Sequence, residues 1–307
     1  MAVQIIKQGI MDTLQDKGRY GFQQIGIPPC GYLDYLSAQL SNFILGNPLD
    51  AAIIELHFPA SIFKFDSAHT ICISGANFVP VLNDKSIAMN TAVKVYKNDV
   101  LKFVQPIMGK TSYLSIKGNI NSPSWLNSKS YFSKQLQINE TINITNEDTT
   151  DQISSDFAPE PSSSKCLANK IQKHIFESHE IRFIPGPQWN DLTAASMMQL
   201  LHQPFNNTNH TNRMGYTLKG PSLHLVHQKS YLSSAVTKGT MQLLPNGDLT
   251  ILMADHQTIG GYANIGQIIL VDLPKLVQLK TNHPFHFTLT NIQTAHKEYL
   301  EIQQWFS

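Results

Sequence analysis

The 307-residue chain is poor in several features, and each shortage narrows its function. No apolar run approaches the roughly 20 residues that cross a membrane as a helix. The opening MAVQIIKQGI lacks the longer apolar core and small-residue cleavage site of a secretory leader. A cytoplasmic protein with no membrane partner is therefore expected. Cysteine is scarce: Cys30, Cys72 and Cys166 are scattered and odd in number, which fits reduced thiols rather than a disulfide framework. The sequons at Asn139 and Asn143 then carry no weight, because glycosylation needs a secretory route. Charge of one sign is also missing. With 23 Lys and Arg against 22 Asp and Glu, the net charge is +1, and no basic stripe exists to neutralise nucleic-acid phosphates.

Motifs for metal and nucleotide chemistry are equally absent. The chain has no HExxH, no CxxC, no GxSxG elbow and no dinucleotide fingerprint. His224 and His227 lie three apart on an expected strand, which points them to opposite faces, so no metal ligation is predicted. VQPIMGKT, from Val104 to Thr111, ends like a phosphate-binding loop. Val104 replaces its first glycine, Pro106 interrupts it, and the residues from Tyr113 read as a strand, so it is rejected as a nucleotide site.

What is present is a β-rich core. Hydrophobic residues make up 42% of a chain long enough for one large or two medium domains. Short strands are expected at Ile62–Phe65, Thr70–Ser74, Val79–Leu82, Ala92–Tyr96, Val100–Val104 and Ser112–Ile116, a spacing typical of antiparallel barrels and sandwiches. Further strands are expected at Met241–Leu244, Leu249–Ala254, Gln267–Val271 and Pro284–Leu289. Helices are expected at about Asp34–Leu45, with Asp34 as N-cap and Gly46 as stop, at Asp191–His202, at Pro274–Leu279 capped by Asp272, and at the C-terminus. Polar, Ser- and Pro-containing residues 139–180 read as a flexible linker or insertion between an N-terminal half (1–138) and a C-terminal half (181–307), with Asp148–Lys165 the most protease-sensitive stretch.

The stretch from Ile251 to Leu273 organises the candidate site. Between two apolar runs it sets Asp255, His256, Gln257 and Thr258 beside Gly260, Gly261 and Tyr262, and adjacent glycines permit close backbone approach to a ligand. The alternative is a wide hairpin whose polar residues satisfy turn hydrogen bonds. Arg19 beside Gly21, and Arg213 beside Gly215 and Tyr216, place cations in glycine-rich surroundings that suit an anion or carboxylate. Each arginine is also compatible with a structural ion pair. Glu55, inside the apolar IIEL run, must pair or act, and a buried arginine is its usual partner.

Six stretches together resemble the family of the 5-oxoprolinase C subunit, also described as the biotin-dependent carboxyltransferase or allophanate-hydrolase subunit 2 family. They are TLQDKGRYGFQQIGIPPCGYLD (Thr13 to Asp34), GNPLDAAIIEL (Gly46 to Leu56), ISGANF (Ile73 to Phe78), PGPQ (Pro185 to Gln188), NRMGYTLKGPSL (Asn212 to Leu223) and MADHQTIGGY (Met253 to Tyr262). The sequence departs from the family pattern at Cys30 for a common glycine, Leu33 for methionine, Asn77 for aspartate and His256 for arginine. LSIKGNI (Leu114 to Ile120) stands for a glycine-rich LAVxGGI.

The resemblance implies a mainly β, cyclophilin-like antiparallel barrel architecture with a few short helices. It implies a component that works with the A and B subunits of an ATP-dependent 5-oxoprolinase, which hydrolyses the cyclic amide 5-oxo-L-proline to L-glutamate. Two alternatives follow from relatives of that family. One is biotin-dependent carboxyl transfer to a urea-like amide, with biotin arriving on another protein; the other is a non-enzymatic regulator of a histidine-kinase inhibitor. No covalently bound cofactor is expected, and ATP would be used by the complex. The expected catalytic residues are Arg213, Asp255 and Gln257. Arg19, Gly21, Glu55, Gly215, Tyr216, Thr258, Gly260, Gly261 and Tyr262 are expected to bind the amide substrate. Arg213, Asp255, Gln257 and Tyr262 are expected to converge with Arg19 on one pocket.

Overall fold

A computed structural model describes residues 1–132, 134–145, 161–227 and 229–306. The chain divides into two units. The first is Met1–Arg19 with Cys30–Lys173, and the second is Tyr20–Pro29 with His174–Ser307.

The first unit contains, in chain order, β1 (Ala2–Lys7), β2 (Thr13–Gln15), α1 (Tyr35–Leu45), β3 (Ile53–His57), β4 (Ile62–Phe65), β5 (His69–Asn77), β6 (Pro80–Leu82) and β7 (Lys85–Ser86). It continues through β8 (Val93–Val95), β9 (Val100–Phe103), β10 (Met108–Ile116), β11 (Asn119–Asn121) and β12 (Thr141–Thr145). Seven strands form one sheet in the order β11-β12-β1-β4-β9-β6-β7, and five form another in the order β2-β3-β10-β5-β8. Alternation builds the core between them. Val3 and Ile5, Phe63 and Phe65, Ile54 and Leu56, Ile71 and Ile73, and Leu114 and Ile116 each point the same way from their strands into one cluster. Each such side chain contributes about 1.5–3 kcal/mol when fully buried.

Strand β3 is buried on both faces. Ile53 joins Tyr32, Ala38 and Tyr113 in a second cluster beside α1, which packs on β5 and β10. Helix α1 begins where expected, because the Asp34 carboxylate accepts the Ser37 N–H at 3.0 Å, and it ends at Gly46 with φ +68°.

Helix α2 (Pro161–Phe176) precedes the strands of the second unit. These are β13 (Glu180–Pro185), β14 (Phe205–Thr211), β15 (Gly215–Lys219), β16 (Ser234–Ala235), β17 (Thr240–Leu243), β18 (Leu249–Leu252), β19 (Ile259–Gly260), β20 (Ala263–Ile268) and β21 (Pro284–Leu289). Helices α3 (Ala194–His202), α4 (Leu273–Gln278) and α5 (Ile292–Gln303) complete it. Seven strands close into a barrel in the order β13-β20-β17-β18-β15-β14-β21, while β16 and β19 form a separate two-stranded ribbon. Phe287 meets Phe183, Phe205 and Phe285 with ring centroids 5.9, 5.2 and 5.3 Å apart. Gly266 makes room for this packing: a Cβ there would lie 2.7 Å from the Phe183 ring and 2.8 Å from the Met241 sulfur.

The mainly β architecture expected from sequence is what the chain adopts, with four corrections. Residues 139–180 are not one loop, since β12 and α2 occupy parts of them; both carry apolar alternation or helical periodicity beneath a polar composition. The expected protease-sensitive stretch lies outside the described residues except for 161–165, which open α2. The second strand of the organising stretch is Ala263–Ile268, not Gln267–Val271, because Leu270–Asp272 turn into a 3-10 helix leading to α4. The barrel is not wholly antiparallel: β13 and β21 close it in parallel. Finally, Asp272 makes no side-chain cap; its buried carboxylate is drawn instead to Arg182 and Lys275.

Candidate functional site

The chain leaving β18 continues to zip against the β14–β15 loop. Met253 N–H donates to the Met214 carbonyl at 3.0 Å, and Asp255 N–H to the Arg213 carbonyl at 2.7 Å. That backbone register sets the two charged side chains opposite each other. Arg213 Nε reaches Asp255 Oδ2 at 3.0 Å, and Nη2 reaches Oδ1 at 2.8 Å, a two-pronged contact with both residues buried. The fixed fork of guanidinium against carboxylate neutralises two charges that would be costly to bury alone. His256 follows, buried, with Nδ1 against the Gln257 carbonyl. Burial pulls its pKa below the ordinary histidine value despite that carbonyl, and Lys238 adds to the effect, so the ring is neutral at pH 7.

Gln257 is exposed at the start of a chain of side-chain amides. Its Nε2 donates to Gln242 Oε1 at 3.4 Å, Gln242 Nε2 to Asn264 Oδ1 at 3.0 Å, and Asn264 Nδ2 to Ser234 Oγ at 3.3 Å. Gln188, from the PGPQ turn, accepts the Asn264 backbone N–H at 2.9 Å. A Cβ at Gly260 would sit 2.5 Å from Gln242 Nε2, so a side chain there would displace the Gln242 amide from this chain. Thr258 is buried, and its carbonyl accepts Val236 N–H at 3.1 Å.

The polar segment is therefore a strap rather than a corner. Ala263 pairs with Leu243, and Leu243 with Leu249, whereas Leu252 pairs with Gly215 at the other end of β18. Three strand residues, roughly 10 Å, separate those levels. Asp255 and Arg213 thus hold one end of the hairpin, and Gly261 and Tyr262 lie at the other. These last two line a cavity of 610 Å³ beside the β17–β18 turn. Gly215 opens β15, and Tyr216 is buried in the barrel wall. Gly21, in the Tyr20–Pro29 segment of the same unit, takes φ +89°.

Arg19 and Glu55 belong to the first unit. Arg19 is buried; Nη1 lies 3.1 Å from Cys30 Sγ, Nη2 donates to the Ser130 carbonyl, and the guanidinium stands 5.0 Å from the Trp125 ring centre. The loop that carries it is held by Asp16. That carboxylate accepts from Gly18 N–H, Ser128 Oγ, Ser130 Oγ and Lys129 N–H at 2.6–2.8 Å. Glu55 accepts the Tyr113 hydroxyl at 3.0 Å and the Leu33 N–H at 2.9 Å, so a phenol and a backbone amide hold this buried carboxylate.

Sequence reasoning passed over Asp16, Tyr113, Gln242 and Asn264. The last two had a readable signal: each is an amide side chain inside an apolar strand run, where burial demands a hydrogen-bond partner. Among the described residues no three His, Cys, Asp or Glu side chains gather as a metal site, and no helix is long and apolar enough to cross a membrane.

Comparison with known proteins places the chain in a family. Residues 25–289 match the family described as "Carboxyltransferase domain, subdomain A and B". The chain is 28% identical over 305 residues to the 5-oxoprolinase C subunit of Escherichia coli, covering 99% of this chain and 96% of that one. It is 27% identical to the 5-oxoprolinase C subunit of Haemophilus influenzae, over 93% of this chain and 90% of that one. A crystal structure of the K. lactis urea amidolyase superposes with a TM-score of 0.89 at 22% identity, over the whole of this chain but 20% of that one. The chain thus spans nearly all of the two bacterial relatives and about a fifth of the urea amidolyase.

Proposed function

We propose, from the premise that the chain belongs to the carboxyltransferase-domain family of subdomains A and B, that it is the C-type subunit of a cytoplasmic, ATP-dependent 5-oxoprolinase acting with its A and B subunits. The observation that carries this reading is the end-to-end correspondence with a bacterial C subunit, with 99% of this chain against 96% of its relative.

The site chemistry is compatible with cleavage of a cyclic amide. Opening a lactam builds negative charge on its carbonyl oxygen, and fixed donors in a dry setting stabilise such charge. In this reading Asp255 orients Arg213, and Gln257, held through Gln242, offers its carboxamide to the substrate edge. The chain carries no nucleotide-binding motif, so ATP handling is assigned to a partner or to an interface with one.

A second reading is carboxyl transfer from biotin on another protein to a urea-like amide, favoured by the family description and by the fold shared with the urea amidolyase. One experiment separates the two. The chain is co-expressed with candidate A and B subunits, and 5-oxoproline-dependent ATP hydrolysis is assayed. Hydrolysis that needs all three chains is expected. No hydrolysis, together with carboxyl transfer to urea from a carboxylated biotin carrier, would replace the first reading with the second.

A further inference from the structure

The cavity at Gly261 and Tyr262 is chemically unlike the Arg213–Asp255 end of the barrel. Its volume of 610 Å³ falls in the range of roughly 300–1,000 Å³ typical of small-molecule sites, and far exceeds what a five-membered lactam fills. Leu223, Leu225, Leu243, Leu244 and Pro245 give it one aliphatic wall, and polar groups line much of the rest, so it suits a molecule with an apolar body and a polar end.

Its polar lining includes donors, beside the hydroxyls of Ser230 and Tyr231 and the His224 ring. Lys229 lines the cavity with its ammonium 5.2 Å from the Tyr231 ring centre. Among the described residues its ionic partner is Asp191, 3.0 Å away, and that carboxylate is shared with the Tyr231 hydroxyl at 2.9 Å. An ammonium carries three N–H bonds, so two remain for a ligand. Among the described residues no acceptor engages the backbone N–H of Gly261 or of Tyr262. Tyr262, 45% exposed, brings a further hydroxyl to the rim. Two amide donors, an ammonium and an aliphatic wall together describe a receptor for an acceptor-ended, apolar-bodied molecule.

From this juxtaposition we infer that the cavity is a second ligand site, separate from the Arg213–Asp255 clasp, which takes an aliphatic monocarboxylic acid. The chain of the acid lies along the leucines and Pro245, and its carboxylate meets Lys229 and the Gly261–Tyr262 amides. The site goes beyond the amide-cleaving role proposed above and needs neither ATP nor a partner subunit.

The test is binding to the full-length chain alone, by calorimetry and ligand-observed NMR. Sodium octanoate is the probe, with hexanoate, acetate and 1-octanol for comparison. Saturable one-to-one octanoate binding is expected, with each methylene removed weakening it roughly fourfold and with octanol binding at least tenfold more weakly. Gly261→Leu fills the cavity at a position without left-handed backbone, where the nearest atoms to a Cβ, Ser233 Oγ and the Tyr231 carbonyl, lie 3.4 Å away. It should abolish binding while leaving the thermal transition in place. Lys229→Gln should erase the preference for octanoate over octanol. Absence of saturable binding, equal binding of octanol, or octanoate binding that survives Gly261→Leu would each overturn the assignment. Because nothing in the assay depends on 5-oxoproline turnover, its failure and the failure of the proposed function are separable.

Discussion

Arg213 and Asp255 hold each other at three points: two side-chain contacts of 3.0 and 2.8 Å, and a backbone bond of 2.7 Å from the Asp255 N–H to the Arg213 carbonyl. The backbone bond fixes the register that the side chains then use. The clasp joins residues 42 apart in sequence, and it ties the loop between β14 and β15 to the end of β18.

Removing one partner of this pair should therefore act first on stability. Arg213→Ala or Asp255→Ala breaks a buried ion pair, a change that costs about 3–5 kcal/mol. The double variant should be less unstable than the two single losses added together, because the two residues act through one shared contact. Urea unfolding of the four proteins checks this. Strict additivity would show that the two residues act separately.

Two buried carboxylates, one in each unit, should contribute oppositely to stability in acid. In the first unit burial raises Asp12 to about 6, against the opposing N–H donors of His57 and Ser61. A raised carboxyl binds its proton more tightly when folded, so stability should grow as pH falls from 7 towards 4, by about 3 kcal/mol for two pKa units. In the second unit burial alone would raise Asp272, but Arg182 and Lys275 outweigh it and hold the carboxyl below its ordinary value. Its contribution is complete above the unfolded value near 4 and is lost as pH falls through the folded one. Calorimetry between pH 7 and 3 should show one transition strengthening to about pH 4 and the other weakening below it. Asp272→Asn should flatten the acid limb of the second only.

Tyr113 is the hinge of a buried polar chain in the first unit. Its hydroxyl donates to Glu55 at 3.0 Å and accepts the Asp34 N–H at 2.7 Å, while the Asp34 carboxylate caps α1. Burial and the Glu55 charge keep the phenol protonated far above neutrality. Tyr113→Phe leaves both partners short of a bond, and a loss of about 1–3 kcal/mol is expected by chemical denaturation. An unchanged midpoint would mean that the chain is satisfied by other donors.

These particulars show why parts of the molecule could be read in advance. Strand alternation such as Ile71 with Ile73, and the Asp34 and Gly46 boundaries of α1, are local patterns, and local patterns survive into the fold. Partnerships across long separations are not local. That Glu55 needs a partner is legible in the IIEL run; that its hydrogen bonds come from Tyr113, 58 residues away, and from Leu33 is not. The strap from Asp255 to Tyr262 reads as one corner because its residues are consecutive. The register of β17, β18 and β20 separates its ends, and only strand pairing contains that information.

Cys30 offers the most local test of how the Arg19 loop is built. It sits with φ +57°, buried, where a side chain with a Cβ is strained by about 1–2 kcal/mol relative to glycine. The next residue, Gly31, has φ +88° and no room for a Cβ, which would meet the Lys17 carbonyl at 2.7 Å. Two successive left-handed residues bring the chain back against residues 17 and 18, and Cys30 Sγ then lies 3.1 Å from Arg19 Nη1. Cys30→Ala keeps the strain and loses the sulfur contact. Cys30→Gly loses the same contact but releases the strain. The glycine variant should therefore be the more stable of the two by about 1 kcal/mol, after allowing for the extra freedom glycine gives the unfolded chain. Thermal or urea unfolding of the pair reads this directly. An alanine variant equal to or more stable than the glycine one would mean that the loop does not need the left-handed conformation at position 30, and that Arg19 is held by Ser130 and Trp125 without help from the turn.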